Sequence, residues 1–386
     1  MFANRTNWNL STNRLSEALM RHRASGRQLL DLTASNPTEC GFRYDAQAIA
    51  AALQQPGALE YHPDPSGLAG ARHAVSEYYG AFGAQVSVED MVLTTSTSEA
   101  YSFAFRLLCN PGDELLIPGP SYPLFDFLAD IQDVKLVRYA LFYDHGWHID
   151  FHALEQAITP RTRGIIVVHP NNPTGHFTKP AEVDRLNDLC ASHQLAIIAD
   201  EVFLDFGLKA RPLSFATNTR ALTFTMSGLS KISGLPQMKL AWLIVTGPEE
   251  LKREALARLE VIADTYLSLS APIQLAAGAL LNQRHDFQAQ LGRRVRLNLA
   301  ELDLQMANQK ICSRLQVEAG WYAVLRVPAT LADEELAIDL LEKRDVYVHP
   351  GHFYSFPADG YLVVSLMTRE ADFAEGVARI LARLEH

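Results

Sequence analysis

The middle of the chain alternates between short apolar runs and amphipathic segments. Between about residues 90 and 250 the runs of strand length are 91–95, 114–118, 134–140, 164–169, 195–200, 221–226 and 240–246. One intervening segment, 181–193, places Val183, Leu186, Leu189 and Cys190 at helical spacing. Because strands that alternate with helices need crossover connections, the pattern predicts an α/β fold with a mostly parallel central sheet flanked by helices.

The pattern changes toward the end of the chain. From about residue 286 a helix, the strand-like run 321–328, another helix and two further apolar runs follow one another. This order is typical of a smaller α+β unit, and the segment before the main pattern is expected to pack with it. The predicted division is a large domain over 46–285 and a small domain over 1–45 and 286–386.

Composition narrows the class of protein. Of the 386 residues, 48% are hydrophobic and 20% charged, which is ordinary for a globular protein. The net charge of −10 argues against nucleic acid or an anionic membrane as a partner. No apolar run approaches the ~20 residues of a membrane span, and residues 1–26 lack the apolar core of a secretory signal. We expect a soluble, cytoplasmic protein.

The four cysteines are far apart in sequence and form no CxxC pair. Their spacing matches neither a zinc site nor an evident disulfide framework. We therefore expect reduced thiols and no metal site; the residues are Cys40, Cys109, Cys190 and Cys312.

Polar residues follow three of the predicted strands. Asp200 ends one strand, and Asn172 and Lys231 each lie a few residues beyond another. Singly, each has a plain structural explanation: a carboxylate capping a turn, a turn residue and a surface lysine. Open α/β sheets, however, bind ligands at the carboxyl ends of their strands, where all three residues are predicted to lie.

Three segments around these residues carry a family resemblance. HPNNPTG (169–175), ADEVF (199–203) and SGLSK (227–231) resemble, in this order, the hallmark segments of the class I/II aminotransferases, which are pyridoxal-phosphate enzymes of fold type I. The resemblance extends over nearly the whole chain, through DLTASNPTE near the start and VHPGHFYSFPADGY near the end. It implies pyridoxal 5'-phosphate as the cofactor.

The resemblance also implies roles for individual residues. Lys231 would form the internal aldimine and then move a proton between the substrate and the cofactor. Asp200 would keep the pyridine nitrogen protonated, since an opposite charge nearby favours the charged form. Asn172 would bond the phenolic oxygen, and Tyr122 would stack on the ring. Lys231, Asp200 and Tyr122 are thus the predicted catalytic residues.

The cofactor phosphate has its own predicted site. Ser96, Thr97 and Ser98 open a helix directly after a strand, and the N–H groups at a helix start bind anions. By the resemblance, Tyr61 reaches the phosphate of a neighbouring subunit. A homodimer with shared active sites is therefore expected.

Several positions depart from the family pattern. Lys239 stands where relatives usually have an arginine that grips the phosphate, and a lysine supplies only a point charge. Phe203 replaces a tyrosine that bonds the phenolic oxygen. Gly228 stands where many relatives have a serine, so Ser227 or Ser230 is expected to serve the phosphate instead.

The position that reads the substrate α-carboxylate departs most. Relatives carry an arginine in a stretch like GYxRLS, whereas this chain has Val363 within GYLVVSLMT. The candidate replacements are Arg369, Arg5, Arg14 and the backbone at Ala34 and Ser35. Histidines near the same motifs are expected to be structural or to line the pocket: His169, His176, His349 and His352.

The resemblance favours transfer of an amino group from an L-amino acid to a 2-oxo acid through a pyridoxamine intermediate. The same cofactor residues would also serve a lyase or an α-oxoamine synthase. A non-catalytic effector domain of a transcription regulator is a further alternative. Such regulators carry an N-terminal DNA-binding domain, for which the residues before the main pattern are too few.

Overall fold

This computed structural model describes residues 1–209, 213–307 and 309–385. Its strands are β1 Leu30–Asp31, β2 Met91–Thr94, β3 Glu114–Gly119, β4 Lys135–Tyr143, β5 Trp147–Ile149, β6 Thr162–Val168, β7 Ala196–Asp200, β8 Thr223–Gly228, β9 Ala241–Thr246, β10 Ser313–Arg314, β11 Tyr322–Arg326, β12 Val346–Tyr347, β13 His349–Pro350 and β14 Tyr361–Ser365. Its α-helices are α1 Arg14–Ala24, α2 Ala46–Leu53, α3 Ala69–Gly80, α4 Thr97–Leu108, α5 Phe125–Asp130, α6 Phe151–Gln156, α7 Pro180–His193, α8 Leu229–Ile232, α9 Glu249–Tyr266, α10 Ala271–Leu275, α11 Ala277–Asn282, α12 Arg284–Met306, α13 Asp333–Arg344 and α14 Glu370–Leu384.

The large sheet has the strand order β2-β9-β8-β7-β6-β3-β4-β5. Strands β8, β7, β6, β3 and β4 are parallel neighbours, whereas β9 runs antiparallel to both β8 and β2, and β5 runs antiparallel to β4. The prediction of a mostly parallel sheet flanked by helices is confirmed. Each of the seven predicted runs contains a strand, and β5 was not predicted.

The central strands are buried on both faces, which explains their unbroken apolar runs. In β6, Ile165 and Val167 face one hydrophobic core, while Ile166 and Val168 face another. The second core also takes in the apolar faces of α4 and α9. Layers of helices on both sides of the sheet follow from this two-sided burial.

A smaller antiparallel sheet has the order β10-β11-β14-β13. Beside it, β1 near the start of the chain pairs in parallel with β12 near its end, Leu30 opposite Val346. Helices α1 and α13 pack together in the same region. These contacts support the predicted grouping of 1–45 with 286–386, and the domain boundaries themselves stay a prediction.

Two further expectations concern cysteines and membranes. All four cysteines are free, and burial raises the pKa of the Cys190 thiol to about 12, which makes it a poor nucleophile. None of the described helices combines the length and the apolar character that a bilayer crossing requires.

Residues 318–320 form a backbone clasp between the two sheets. The N–H groups of Glu318 and Ala319 donate to the carbonyl of Gly175 over 3.1 and 2.8 Å, and the N–H of Gly320 donates to the carbonyl of Phe206 over 3.0 Å. The clasp thus holds the loop after β6 and the loop after β7, and β11 begins directly behind it.

Gly175 is the tightest point of this clasp. Its φ is +69°, and a Cβ at this position would overlap the carbonyl oxygen of Ala319. Gly26 has the same φ of +69° but has no atom within 4 Å of a built Cβ. Alanine at position 26 would therefore introduce backbone strain alone, whereas alanine at position 175 would introduce strain and steric overlap together.

We expect Gly175→Ala to lower the free energy of unfolding by at least about 3 kcal/mol, because strain and overlap with a backbone atom add. Gly26→Ala should cost only about 1 kcal/mol, the strain alone. Urea unfolding followed by fluorescence measures both variants against the wild type. An equal loss of unfolding free energy in both variants would show that the clasp rearranges to accommodate a methyl group at position 175.

Candidate active site

The carboxyl edge of the large sheet gathers the predicted polar residues. In the register of the parallel strands Val168 lies opposite Asp200, and Asp200 lies opposite Met226. Strands β6 and β7 therefore end together, and β8 continues two residues further, to Gly228. The loop with Asn172 follows β6, and α8 with Lys231 begins directly after β8. Asp200, Asn172 and Lys231 are thus brought to one edge.

Asp200 is buried at this edge with few compensating groups. Its carboxylate accepts a hydrogen bond from the Tyr101 hydroxyl at 3.0 Å and one from the backbone N–H of Val202 at 3.1 Å. Burial raises the pKa of Asp200 to about 6, although both hydrogen bonds and the charge of Lys231 oppose the shift. An additional positive charge nearby would stabilise the ionised form.

Lys231 is half-buried among aromatic rings. Its Nζ lies 5.3 Å from the ring centroid of Trp321 and 5.9 Å from that of Phe203, within range of cation–π attraction. Burial lowers the pKa of Lys231, and the carboxylate of Asp200 opposes that shift. A lowered pKa makes the neutral, nucleophilic amine more accessible at neutral pH.

Asn172 is buried, and its Oδ1 has no hydrogen-bond partner within the described residues. A buried amide oxygen without a partner is costly unless a ligand or water supplies one. Tyr122 is 43% exposed, so part of its side chain is accessible to a ligand. Burial raises the pKa of Tyr122, and the charge of Asp200 adds to the shift.

The first turn of α4 forms a candidate anion site at the same edge. Ser96 caps this 12-residue helix by accepting from the N–H of Glu99 at 3.2 Å. The N–H groups of Thr97 and Ser98 belong to the first turn, where no helical carbonyl is available to them. One turn later Tyr101 reaches Asp200, so α4 starts close to the buried carboxylate.

The serine and glycine before Lys231 are fixed by packing. Ser227 is buried and its hydroxyl donates to the carbonyl of Glu201 at 3.3 Å. At Gly228 a Cβ would lie 2.8 Å from the Cβ of Ala241 and 2.9 Å from the carbonyl oxygen of Leu240. The close approach of β9 therefore explains the glycine. A phosphate role for Ser227 stays a prediction, with its hydroxyl engaged by the backbone.

Three other predicted cofactor residues lie at or near the surface. Lys239 is exposed just before β9, whose first residue pairs with Thr94 at the end of β2. Ser230 is half-buried within α8. Tyr61 is 78% exposed, on a loop that follows a short 3-10 turn. Their contacts with a cofactor stay predictions.

Phe203 and Val363 both belong to the hydrophobic core. The Phe203 ring meets the ring of Trp321 edge to face at 4.9 Å. Val363 is 1% exposed and lies on β14 opposite Val324 and His349. No charge therefore stands at the position where the family resemblance predicts an arginine.

The arginine candidates lie elsewhere on the molecule. Arg5 pairs with Asp133, and Arg14 lies 3.9 and 3.8 Å from Glu334 and Glu335. Arg369 is exposed at the start of α14. It lines an open pocket of about 350 Å³ together with Ala34, Ser35, Asp31, Glu39 and Asp372.

Sequence reasoning missed three contributors to the site. Tyr101 lies one turn past the predicted anion-binding helix start, and its hydroxyl on an otherwise apolar helix face is the available signal. Trp321 opens a predicted strand, with nothing local to point it toward Lys231. Glu201 is fully buried and accepts from Ser214 at 2.7 Å, and burial raises its pKa to about 8.

These residues fit the cofactor that the sequence resemblance implied. A buried carboxylate suits a protonated ring nitrogen, and the unpartnered Asn172 amide oxygen marks a place for a polar ligand atom. The start of α4 suits a phosphate. Lys231 supplies the amine to which an aldehyde can bind.

Comparisons with known proteins agree with this fit. A model of the family described as aminotransferase class I and II matches residues 27–380. Glutamate-pyruvate aminotransferase AlaA of Escherichia coli (strain K12) is 30% identical over 256 residues, 65% of this chain and 63% of that protein. The chain therefore covers less than two thirds of that relative's length. The alanine aminotransferase of Mycobacterium tuberculosis (strain ATCC 25618 / H37Rv) is 27% identical over 370 residues, 92% of this chain and 86% of that protein.

Solved structures are similar over the whole chain. An aminotransferase from Escherichia coli has a TM-score of 0.87 at 25% identity, covering 100% of this chain and 98% of that one. An alanine aminotransferase from Pyrococcus furiosus has a TM-score of 0.88 at 22% identity, covering 100% of both chains. At this identity the second likeness concerns the fold alone.

The raised pKa of Asp200 gives a pH-dependent stability. Its folded pKa of about 6 exceeds the reference value of 3.8, so ionising Asp200 costs folding free energy as pH rises through about 6. We expect Asp200→Asn, without cofactor, to be more stable than the wild type by on the order of 3 kcal/mol at neutral pH. The difference should shrink toward about pH 4.

Thermal unfolding of the two cofactor-free proteins across this pH range measures the difference. Tyr101→Phe is the matched variant, because it removes a hydrogen bond to Asp200 and should move the wild-type transition to higher pH. A stability difference that does not change with pH would contradict the burial argument.

Proposed function

Because the chain belongs to the class I and II aminotransferase family, we propose that it is a pyridoxal-phosphate-dependent aminotransferase that moves an amino group from an L-amino acid to a 2-oxo acid. The observation that carries the proposal is the meeting of Lys231 and Asp200 at one buried sheet edge, each altering the pKa of the other. The names of these relatives make alanine, glutamate and pyruvate the first compounds to test.

When bound, pyridoxal phosphate supplies an electron sink for negative charge at the substrate α-carbon. Asp200 would hold the ring nitrogen protonated, and its burial strengthens that interaction because the local dielectric is low. The first turn of α4, from Ser96 to Ser98, would hold the phosphate through backbone N–H groups. Tyr122 would cover one face of the ring, and Asn172 would bond a polar ring substituent.

Lys231 would have two tasks at its Nζ. It would bind the cofactor covalently between reactions, and when released it would move the proton from the substrate α-carbon to the cofactor. The lowered pKa suits the second task, because a general base must be neutral before it accepts a proton. The Trp321 and Phe203 rings around Nζ would exclude water from this proton transfer.

A spectral screen tests the proposed reaction. The protein loaded with pyridoxal phosphate is mixed with single amino acids, alanine and glutamate first, while the visible absorbance band of the cofactor is followed. An aminotransferase loses the band with its amino donor and regains it when a 2-oxo acid such as pyruvate is added. A lyase or an α-oxoamine synthase would not show this reversal by a 2-oxo acid.

Chemical labelling and lysine variants identify the lysine that binds the cofactor. Borohydride reduction followed by peptide mapping should place the cofactor label on Lys231. Lys231→Ala should lose more than about a thousandfold in rate, since it removes both the attachment and the base. Lys239→Ala, a nearby exposed lysine, should keep the label on Lys231; a label found on Lys239 would refute the assignment.

We further propose a homodimer in which Tyr61 acts at the partner's phosphate site. The support is two exposed apolar side chains: Leu59, two residues before this tyrosine, is 96% exposed, and Leu275, on the helix α10 that contacts the turn before it, is 41% exposed. A contact surface of this kind is costly to leave in water.

Sedimentation should find a dimer at assay concentrations. Mixing inactive Lys231→Ala with weakly active Tyr61→Ala should raise the activity, because one site of each mixed dimer has both residues intact. A fully active monomer, or mixing without any gain, would contradict the shared site.

A further inference from the structure

One face of the small sheet carries a row of side chains from three strands. On β14, Val363 lies opposite Val324 of β11 and His349 of β13, and Ser365 lies opposite Tyr322. Directly opposed residues project their side chains from the same face of a sheet. His349, Val363, Ser365 and Tyr322 therefore share one face.

This face adjoins the candidate active site. The ring centroid of Tyr322 lies 6.4 Å from that of Phe203, whose centroid lies 5.9 Å from the Nζ of Lys231. On the other side, the N–H of Ser121 donates to the carbonyl of Tyr354 at 2.8 Å. The loop that precedes α5 is thus hydrogen-bonded to the turn that follows β13.

His349 is half-buried on this face with one ring nitrogen engaged. Its Nδ1 lies 3.0 Å from the Tyr354 hydroxyl, and its Nε2 has no partner within the described residues. If Tyr354 donates to Nδ1, the neutral ring carries its proton on Nε2 and presents a donor there. Burial lowers the pKa of His349 to about 4, against the charge of Asp31, so the neutral form prevails at neutral pH.

Tyrosine rings lie beside His349. The ring centroids of Tyr347 and Tyr354 lie 6.0 and 5.8 Å from that of His349, and Tyr322 is on the same face of the sheet. Burial raises the pKa of Tyr354 and that of Tyr322, so both hydroxyls stay protonated at neutral pH. The polar groups named on this face are therefore neutral.

The α-carboxylate of an amino acid substrate is charged, so moving it from water into the site costs free energy unless hydrogen-bond donors there contact it. Arg369 is a poor candidate for binding this carboxylate, because Asp31, Glu39 and Asp372 line the same pocket and repel an anion. We propose that His349 is the specificity-determining residue that donates from Nε2 to the substrate α-carboxylate, while the Tyr354 hydroxyl holds Nδ1 and Tyr322 lies on the same face. This inference rests on the proposed function.

Two probes that differ only in the carboxylate test this inference in the loaded enzyme. 2-Methylalanine has no α-proton to lose, and tert-butylamine, which also has none, carries a methyl group in place of the carboxylate. Titration calorimetry measures the affinity of both for the wild type and for His349→Leu. We expect His349→Leu to bind 2-methylalanine about tenfold or more weakly, the effect of a hydrogen bond to a charged group, and tert-butylamine with unchanged affinity.

Three further variants control the result. His349→Gln, which keeps a donor near the position of Nε2, should restore most of the affinity for 2-methylalanine. His352→Leu alters an exposed histidine whose ring contacts Phe353, and it should leave both affinities unchanged. Arg369→Ala should also leave both unchanged. The visible cofactor band and the unfolding midpoint of each variant check that it is folded and loaded.

Equal affinity losses for both probes in His349→Leu would overturn the assignment, as would a carboxylate-selective loss in Arg369→Ala. If His349→Leu does not load cofactor, the result for His349→Gln decides. A preference for the carboxylate-bearing probe equal to that of the wild type supports the donor role of His349. Loss of that preference in a folded, loaded His349→Gln protein refutes it. A wild-type protein that never forms the cofactor band would instead overturn the proposed function, and this inference with it.

Discussion

The burial of one carboxylate at the edge of the large sheet constrains most of the surrounding structure. Asp200 ends a central strand and is buried there. Its charge is compensated by one hydroxyl, one backbone N–H and a lysine that is itself partly desolvated. An ionised group with so few partners is costly to bury, and a cationic ligand beside it would lower that cost.

The aromatic neighbours of Lys231 depend on a second constraint, the backbone clasp at 318–320. Trp321 follows the clasp directly, and the clasp bonds the loops after β6 and β7 through main-chain atoms. The Glu318 carboxylate adds side-chain bonds, accepting from the N–H of Phe177 at 3.1 Å and pairing with Lys179. The loop that holds Asn172 and the strand that holds Asp200 are therefore positioned against the small sheet. The clasp requires a glycine at position 175, because a Cβ there would overlap the carbonyl oxygen of Ala319.

Sequence patterns predicted the fold well where the signal is local. Seven apolar runs became strands because a strand buried on both faces must be apolar at successive positions, as in β6. Strand direction carries no such local signal, so the antiparallel β9 could not be read from its composition. The short hairpin strand β5 was missed since three residues show no period.

The same difference between local signals and tertiary packing applies to the residues of the candidate site. Asp200, Asn172 and Lys231 follow predicted strands, so topology alone places them at one edge. Tyr101 and Trp321 reach the site through tertiary packing, which spacing in sequence does not encode. The glycine at 228 is likewise explained only by the approach of β9, a neighbour that lies outside its own segment.

The order of the large sheet has a further consequence for how this protein avoids aggregation. The two edge strands, β2 and β5, are the shortest of the eight, at four and three residues, and the N–H of Leu93 in β2 is already bonded to the carbonyl of Ser66. Short or covered edges offer a second chain little ladder to extend. Continuous pairing of this sheet from one molecule to the next is therefore disfavoured, and the proposed dimer would have to form through side-chain surfaces.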